Sequence, residues 1–98
     1  MEFVRFTVAE SDVDTFLARR QEAIGEVKSA HPELWSVPLC SLREDGTWID
    51  VWIYTSKQAA DAANADVENL PRFRAMVELL DNLEIEATDM PEQAKSDI

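Results

Sequence analysis

Thr47-Trp48-Ile49-Asp50-Val51-Trp52-Ile53-Tyr54-Thr55 is the stretch whose reading decides the fold. Its side chains alternate between two sets, β-branched Ile49, Val51 and Ile53, and ring-bearing Trp48, Trp52 and Tyr54 with Asp50 among them. A period of two marks a strand, because successive side chains leave a pleated backbone on opposite faces. Neither set is simply polar, so both faces of this strand ask to be covered. The β-branched set reads as the face beneath helices. The ring-bearing set then faces outward, and a broad aromatic surface of that kind needs a partner or a ligand.

Upstream, Glu44-Asp45-Gly46 brings Asp-Gly between two strand-like runs, a hairpin signal. Leu34–Leu42 is the other arm, and Pro38 within it points to an edge strand or a bulge. Residues 2–9 alternate as a first strand, with Val4, Phe6 and Val8 on one side and Phe3, Arg5 and Thr7 on the other. Ser11-Asp12-Val13-Asp14 resembles a capping box. Val13, Phe16, Leu17, Arg20, Ile24 and Val27 follow as the stripe of an amphipathic helix from about Asp12 to Ala30, closed by His31-Pro32.

Downstream, Ser56 is placed to cap an alanine-rich helix. Asn69-Leu70-Pro71 breaks that helix, and Phe73, Met76, Val77 and Leu80 supply a second buried stripe. Leu83–Ala87 alternates as a fourth strand. The order is βαββαβ: an α+β, ferredoxin-like domain over residues 1–87, with two helices on one face of a four-stranded antiparallel sheet. Residues 88–98 form an acidic tail, read as flexible or as an arm that packs on a partner.

With Ile49, Val51 and Ile53 assigned to the helices beside Val4, Phe6 and Val8, the bare face carries Phe3, Arg5, Thr7, Trp48, Asp50, Trp52 and Tyr54. Burying several hundred Å² of such surface at roughly 25 cal/mol per Å² favours association, so a homodimer joined sheet face to sheet face is expected.

Composition bounds the chemistry. The chain has 98 residues and a net charge of −11, which argues against a nucleic-acid backbone as partner. Two glycines leave no phosphate-cradling loop. No apolar run reaches the roughly 20 residues of a membrane span, and no basic leader opens the chain. The single cysteine, Cys40, fits a reducing cytoplasm and reads as a small buried hydrophobe. One His, one Cys and scattered carboxylates offer no metal-ligand spacing, so no metal is expected.

Asp45-Gly46-Thr47-Trp48-Ile49-Asp50-Val51, then Tyr54-Thr55-Ser56-Lys57-Gln58-Ala59-Ala60 and Pro71-x-Phe73, resemble the dimeric α/β-barrel superfamily, in particular its antibiotic-biosynthesis-monooxygenase-like members. The resemblance spans about residues 2 to 87. Haem-degrading relatives use an Asn on the first strand and a His late in the second helix. Arg5, Thr7 and Arg74-Ala75-Met76-Val77 stand there instead, so haem degradation is not expected. Other relatives oxidise polycyclic phenols without metal or flavin, the deprotonated substrate supplying the electron to oxygen, which implies no cofactor.

That resemblance implies Asp50 as base and Arg5 as the cation holding a phenolate. Tyr54 completes the catalytic set, and Trp48, Trp52, Phe3 and Thr7 line the pocket of a small aromatic, polyketide-like substrate. Each of these residues also has a plainer reading. The rings pack a dimer interface, and Arg5 and Asp50 form a cross-strand or intersubunit salt bridge. His31 eases the dipole at a helix end. Asn64 would hydrogen-bond a ligand if it faced the sheet and otherwise meets solvent, and the Glu84/Glu86 pair lies on a solvated strand face. A homodimer that binds a small molecule without altering it, and a purely structural module, are the competing functions.

Overall fold

A computed structural model describes residues 1–94; residues 95–98 of the acidic tail lie outside the described residues. Strands β1 (Glu2–Thr7), β2 (Leu34–Leu42), β3 (Trp48–Tyr54) and β4 (Asp81–Ala87) form one antiparallel sheet in the order β2-β3-β1-β4. Helix α1 (Val13–Ala30) precedes β2; α2 (Lys57–Ala65) and α3 (Pro71–Val77) lie between β3 and β4. The ferredoxin-like βαββαβ arrangement holds, with its second helix split in two at Pro71.

Local chemistry accounts for most boundaries. Gly46 has φ 88°, the left-handed geometry that glycine adopts without steric cost, and its N–H donates to Arg43 O at 3.0 Å to close the β2–β3 hairpin. Asp45 Oδ1 accepts from Thr47 N at 2.9 Å, an Asx-type turn contact. β2 is an edge strand, and its pairing with β3 shifts register between Leu34 and Leu39, around Pro38, as that proline requires. Ser56 Oγ accepts from Ala59 N at 3.1 Å and caps α2. No side chain caps α1, however. Glu10–Asp12 form a 3-10 turn running into the helix, so the expected capping box does not form.

Helix α3 has seven residues, too few to be stable by itself, and is clamped to α1 by polar contacts. Glu26 Oε1 accepts from Arg72 N and Phe73 N, both at 2.9 Å, and Arg19 Nη1 donates to Ala75 O at 2.8 Å. His31 Nε2 lies 2.8 Å from Asp66 Oδ2, tying the end of α1 to the end of α2 rather than only capping its own helix. The tail also departs from expectation. Thr88 N donates to Met1 O at 2.9 Å, and Asp89 Oδ1 accepts from Lys57 N at 2.7 Å. Residues 88 and 89 therefore strap back across the sheet end onto the start of α2.

The main correction concerns which way β3 faces. Phe6 pairs with Trp48 and Val4 with Asp50, so the ring-bearing set shares the face of Val4 and Phe6. Trp48, Trp52 and Tyr54 are buried beneath the helices with Phe16, Ala23, Val27, Phe73 and Met76. The open face carries Ile49, Val51 and Ile53 with Phe3 and Arg5. Area decides the orientation: each large ring hides about 150–250 Å², several kcal/mol at roughly 25 cal/mol per Å². Each aliphatic of the other set contributes only about 1.5–3 kcal/mol. The rings also interlock edge to face, Phe6 on Phe16 at 5.2 Å and Phe16 on Trp48 at 5.6 Å between centroids.

Candidate active site

With the rings turned inward, the expected site residues divide between two faces. Asp50, Tyr54, Trp48 and Trp52 lie between sheet and helices; Arg5 and Phe3 lie on the open side. Thr7 stands at the end of β1, where its Oγ1 accepts from Asn82 Nδ2 at 2.9 Å. Arg5 approaches only Glu84, at 4.0 Å across the strand pair, with both side chains well exposed. An exposed pair of that kind contributes little. Arg5 therefore does not meet Asp50, and the expected constellation of base and anion-holding cation does not assemble.

The partner of Asp50 is Arg20. The buried stripe of α1 runs Phe16, Arg20, Ala23, Val27, while Leu17 turns outward. Arg20 Nε donates to Asp50 Oδ2 at 2.9 Å and Nη2 to Oδ1 at 2.8 Å, a two-pronged ion pair in which both carboxylate oxygens are engaged. Arg20 is 7% and Asp50 2% exposed. Donating to the Asp50 carboxylate raises the guanidinium pKa further, so Arg20 stays charged. Cys40, opposite Asp50 in the sheet, is half-buried; burial, reinforced by the Asp50 charge, pushes its thiol up to about 11.

Between sheet and helices lies a cavity of about 170 Å³. Val4, Phe6, Phe16, Trp52, Phe73 and Met76 make its apolar body, and Leu83 and Ile85 of β4 stand at its rim, 41% and 47% exposed. Its polar lining comes from Asp50, already engaged by Arg20, and from Glu2 and Asn64. Asn64 of α2 faces inward rather than to solvent, and its Nδ2 donates to Glu2 Oε2 at 2.5 Å. Glu2 is 3% exposed. Burial raises its carboxyl pKa, the Asn64 hydrogen bond and the N-terminal ammonium opposing that rise and Asp61 adding to it.

Tyr54 is fully buried nearby. Desolvation, then the Glu2 charge, pushes its phenol pKa upward, and its hydroxyl has no hydrogen-bond partner among the described residues. A buried hydroxyl without a partner costs about 1–3 kcal/mol. Tyr54→Phe is therefore expected to leave stability unchanged or raise it by about 1 kcal/mol, read as the midpoint of urea unfolding. A loss above about 1 kcal/mol would show that the hydroxyl is in fact satisfied.

Glu2 and Asn64 are the functional candidates that the alternation pattern misses. Glu2 shares the Val4–Phe6 face, so its inward placement follows from the same period of two that marks β1. A carboxylate in line with two core positions is the signal. Among the described residues, no three His, Cys, Asp or Glu side chains gather into a metal-binding group, and no helix is long and apolar enough to cross a membrane.

No family model and no curated protein sequence matches the chain. Solved structures do. An antibiotic biosynthesis monooxygenase candidate from Caulobacter crescentus CB15 aligns at 20% identity over 93% of this chain and 88% of its own, with a TM-score of 0.70. A second such candidate, from Bacteroides thetaiotaomicron, aligns at 12% identity over 99% of this chain and 92% of its own, also at 0.70. A NIPSNAP domain protein of uncharacterised function from Burkholderia xenovorans aligns at 16% identity over 97% of each chain, at 0.64. At such identities the likeness is one of fold, shared by proteins carrying different labels, and activity has to be argued from the cavity.

Proposed function

We propose that the chain is a small-molecule enzyme of the cofactor-independent monooxygenase type, acting on an aromatic substrate in the cavity between sheet and helices. The observation that carries this reading is a buried carboxyl, Glu2, at the polar end of an otherwise apolar cavity. A cavity of roughly 150 Å³ accepts a benzene ring. About 170 Å³ therefore holds one ring, and a polycyclic substrate would project past Leu83 and Ile85.

In this reading Glu2 replaces Asp50 as the base, since both Asp50 oxygens are held by Arg20. Glu2 takes the hydroxyl proton of the substrate, and the resulting phenolate is the reductant that dioxygen meets. A carboxyl whose pKa is raised by burial is better matched to that transfer near neutral pH.

Oxygen consumption with single-ring phenols and hydroquinones, in chelator-treated buffer, tests the proposal. Turnover is expected to rise with pH as Glu2 ionises, along a limb lying above the ordinary range of a glutamate carboxyl. Glu2→Gln is expected to reduce the rate by about 10²–10⁴-fold, the usual contribution of a positioned base. Wild-type rates at background would leave the second reading, a binding protein without turnover, which the neighbours' differing labels keep in view. The protein is proposed to work as a homodimer joined through its open sheet face.

A further inference from the structure

The cavity also discriminates by charge. Among the described residues its lining contains no cationic side chain, and the N-terminal ammonium that acts on Glu2 donates to Thr88 O at 2.7 Å. Arg20 spends its Nε and Nη2 on Asp50, Nη2 reaching also toward Leu39 O at 3.4 Å, and Arg5 is on the other side of the sheet. An anionic ligand would meet the Glu2 carboxylate inside an apolar enclosure, in a chain of net charge −11. A ligand ammonium would pair with Glu2, but its remaining donors would have only Asn64 Oδ1 and the ring faces of Trp52 and Phe73. The cost of taking a full charge out of water therefore opposes its entry. A neutral hydroxyl has one donor.

The acceptor for that donor is on the page. Asn64 occupies Oε2 of Glu2, and Oε1 carries no hydrogen bond among the described residues. The geometry points to Glu2, oriented by Asn64, as the specificity-determining acceptor for a single neutral hydroxyl, so that the site takes one-ring phenols or aromatic alcohols and rejects carboxylates and amines of the same size. This rests on the cavity being the ligand site, and it also fits the proton step. Transfer from hydroxyl to Glu2 moves one negative charge across a hydrogen bond without adding another to the enclosure.

Binding is read by titration calorimetry on the full chain at pH 8 with toluene, p-cresol, benzoate and benzylamine. Toluene reports the cavity; the other three report its polar end. p-Cresol is expected to bind roughly tenfold or more tightly than toluene, the range for a hydrogen bond to a charged acceptor. Benzoate and benzylamine should bind more weakly than toluene.

In Glu2→Gln the gap between cresol and toluene should shrink to about threefold or less, and the handicap of benzoate should ease, because the repelling charge is gone. Asn64→Ala should narrow the cresol preference, read as the ratio of cresol to toluene affinity in the same variant. Toluene binding with benzoate or benzylamine tighter than p-cresol overturns the selectivity and leaves the cavity standing as a site. Failure of all four to bind removes the site itself and the selectivity with it.

Discussion

Arg20→Ala is expected to cost about 3–5 kcal/mol, the usual penalty for stranding one member of a buried ion pair. The guanidinium it removes holds both oxygens of Asp50, a carboxylate 2% exposed beneath the helices. A domain of this size has about 5–15 kcal/mol to lose, so the variant should be largely unfolded well below the wild-type midpoint. Asp50→Ala should behave similarly, leaving Arg20 charged and without its partner.

The pair itself is not expected to contribute on that scale. Arg20→Met combined with Asp50→Leu should recover most of the loss, because apolar side chains of similar volume often replace a buried pair at no net cost. Urea unfolding of the two single variants and the double variant measures the coupling. Single losses under about 1 kcal/mol would mean that the pair is solvated and that Asp50 is free for other work.

The second large effect is expected on the open face. Val51 sits at its centre, flanked in register by Phe3 on β1 and Leu39 on β2. Ile49 and Ile53 lie along the same strand, while Arg5, Glu84 and Glu86 charge the β4 side. Phe3 and Leu39 are 36% and 49% exposed, a row of apolar side chains that a second copy would cover.

Val51 itself is only 7% exposed in the single chain, so the probe is its exposed neighbour. Leu39→Asp would place a carboxylate in that contact, where burial without a partner costs several kcal/mol. The particle is expected to fall from twice the 11.1 kDa chain mass to a single chain by light scattering, with the helical signal kept. Trp52→Asp, which an outward-facing ring would have made the natural probe, should instead unfold the chain, since Trp52 is 3% exposed and packs on Phe73 at 5.8 Å. An unchanged mass for Leu39→Asp would place the association surface elsewhere.

Element order, the Gly46 hairpin, the Ser56 cap and the break at Pro71 were all readable from local residue chemistry, because each depends on a few neighbouring side chains. The inward face of β3 was not. Alternation states which side chains share a face, and when both faces are apolar it cannot say which one is covered. Two residues carried the missing information. Arg20 lies in the apolar stripe of α1, and a cation there requires a buried carboxylate; Asp50 is the one such residue in the alternating run of β3. Glu2, in line with Val4 and Phe6, made the same demand on β1.

Arg5 misled because it carries the expected charge on the neighbouring strand; the register opposite Ile49 sends it to the other side. Asn64 sits on an alanine-rich helix whose other residues say nothing about a ligand. Its hydrogen bond to Glu2 forms only because α2 lies over the start of β1.

The inward turn of the rings has one more consequence. Trp52 lines the cavity, Trp48 is buried further along the same strand against Phe16, and Trp35 is 39% exposed. The chain thus carries three natural fluorophores in three settings. An occupant of the cavity would perturb the emission of Trp52 directly, Trp48 would serve as an internal reference, and a water-borne quencher would silence Trp35 first.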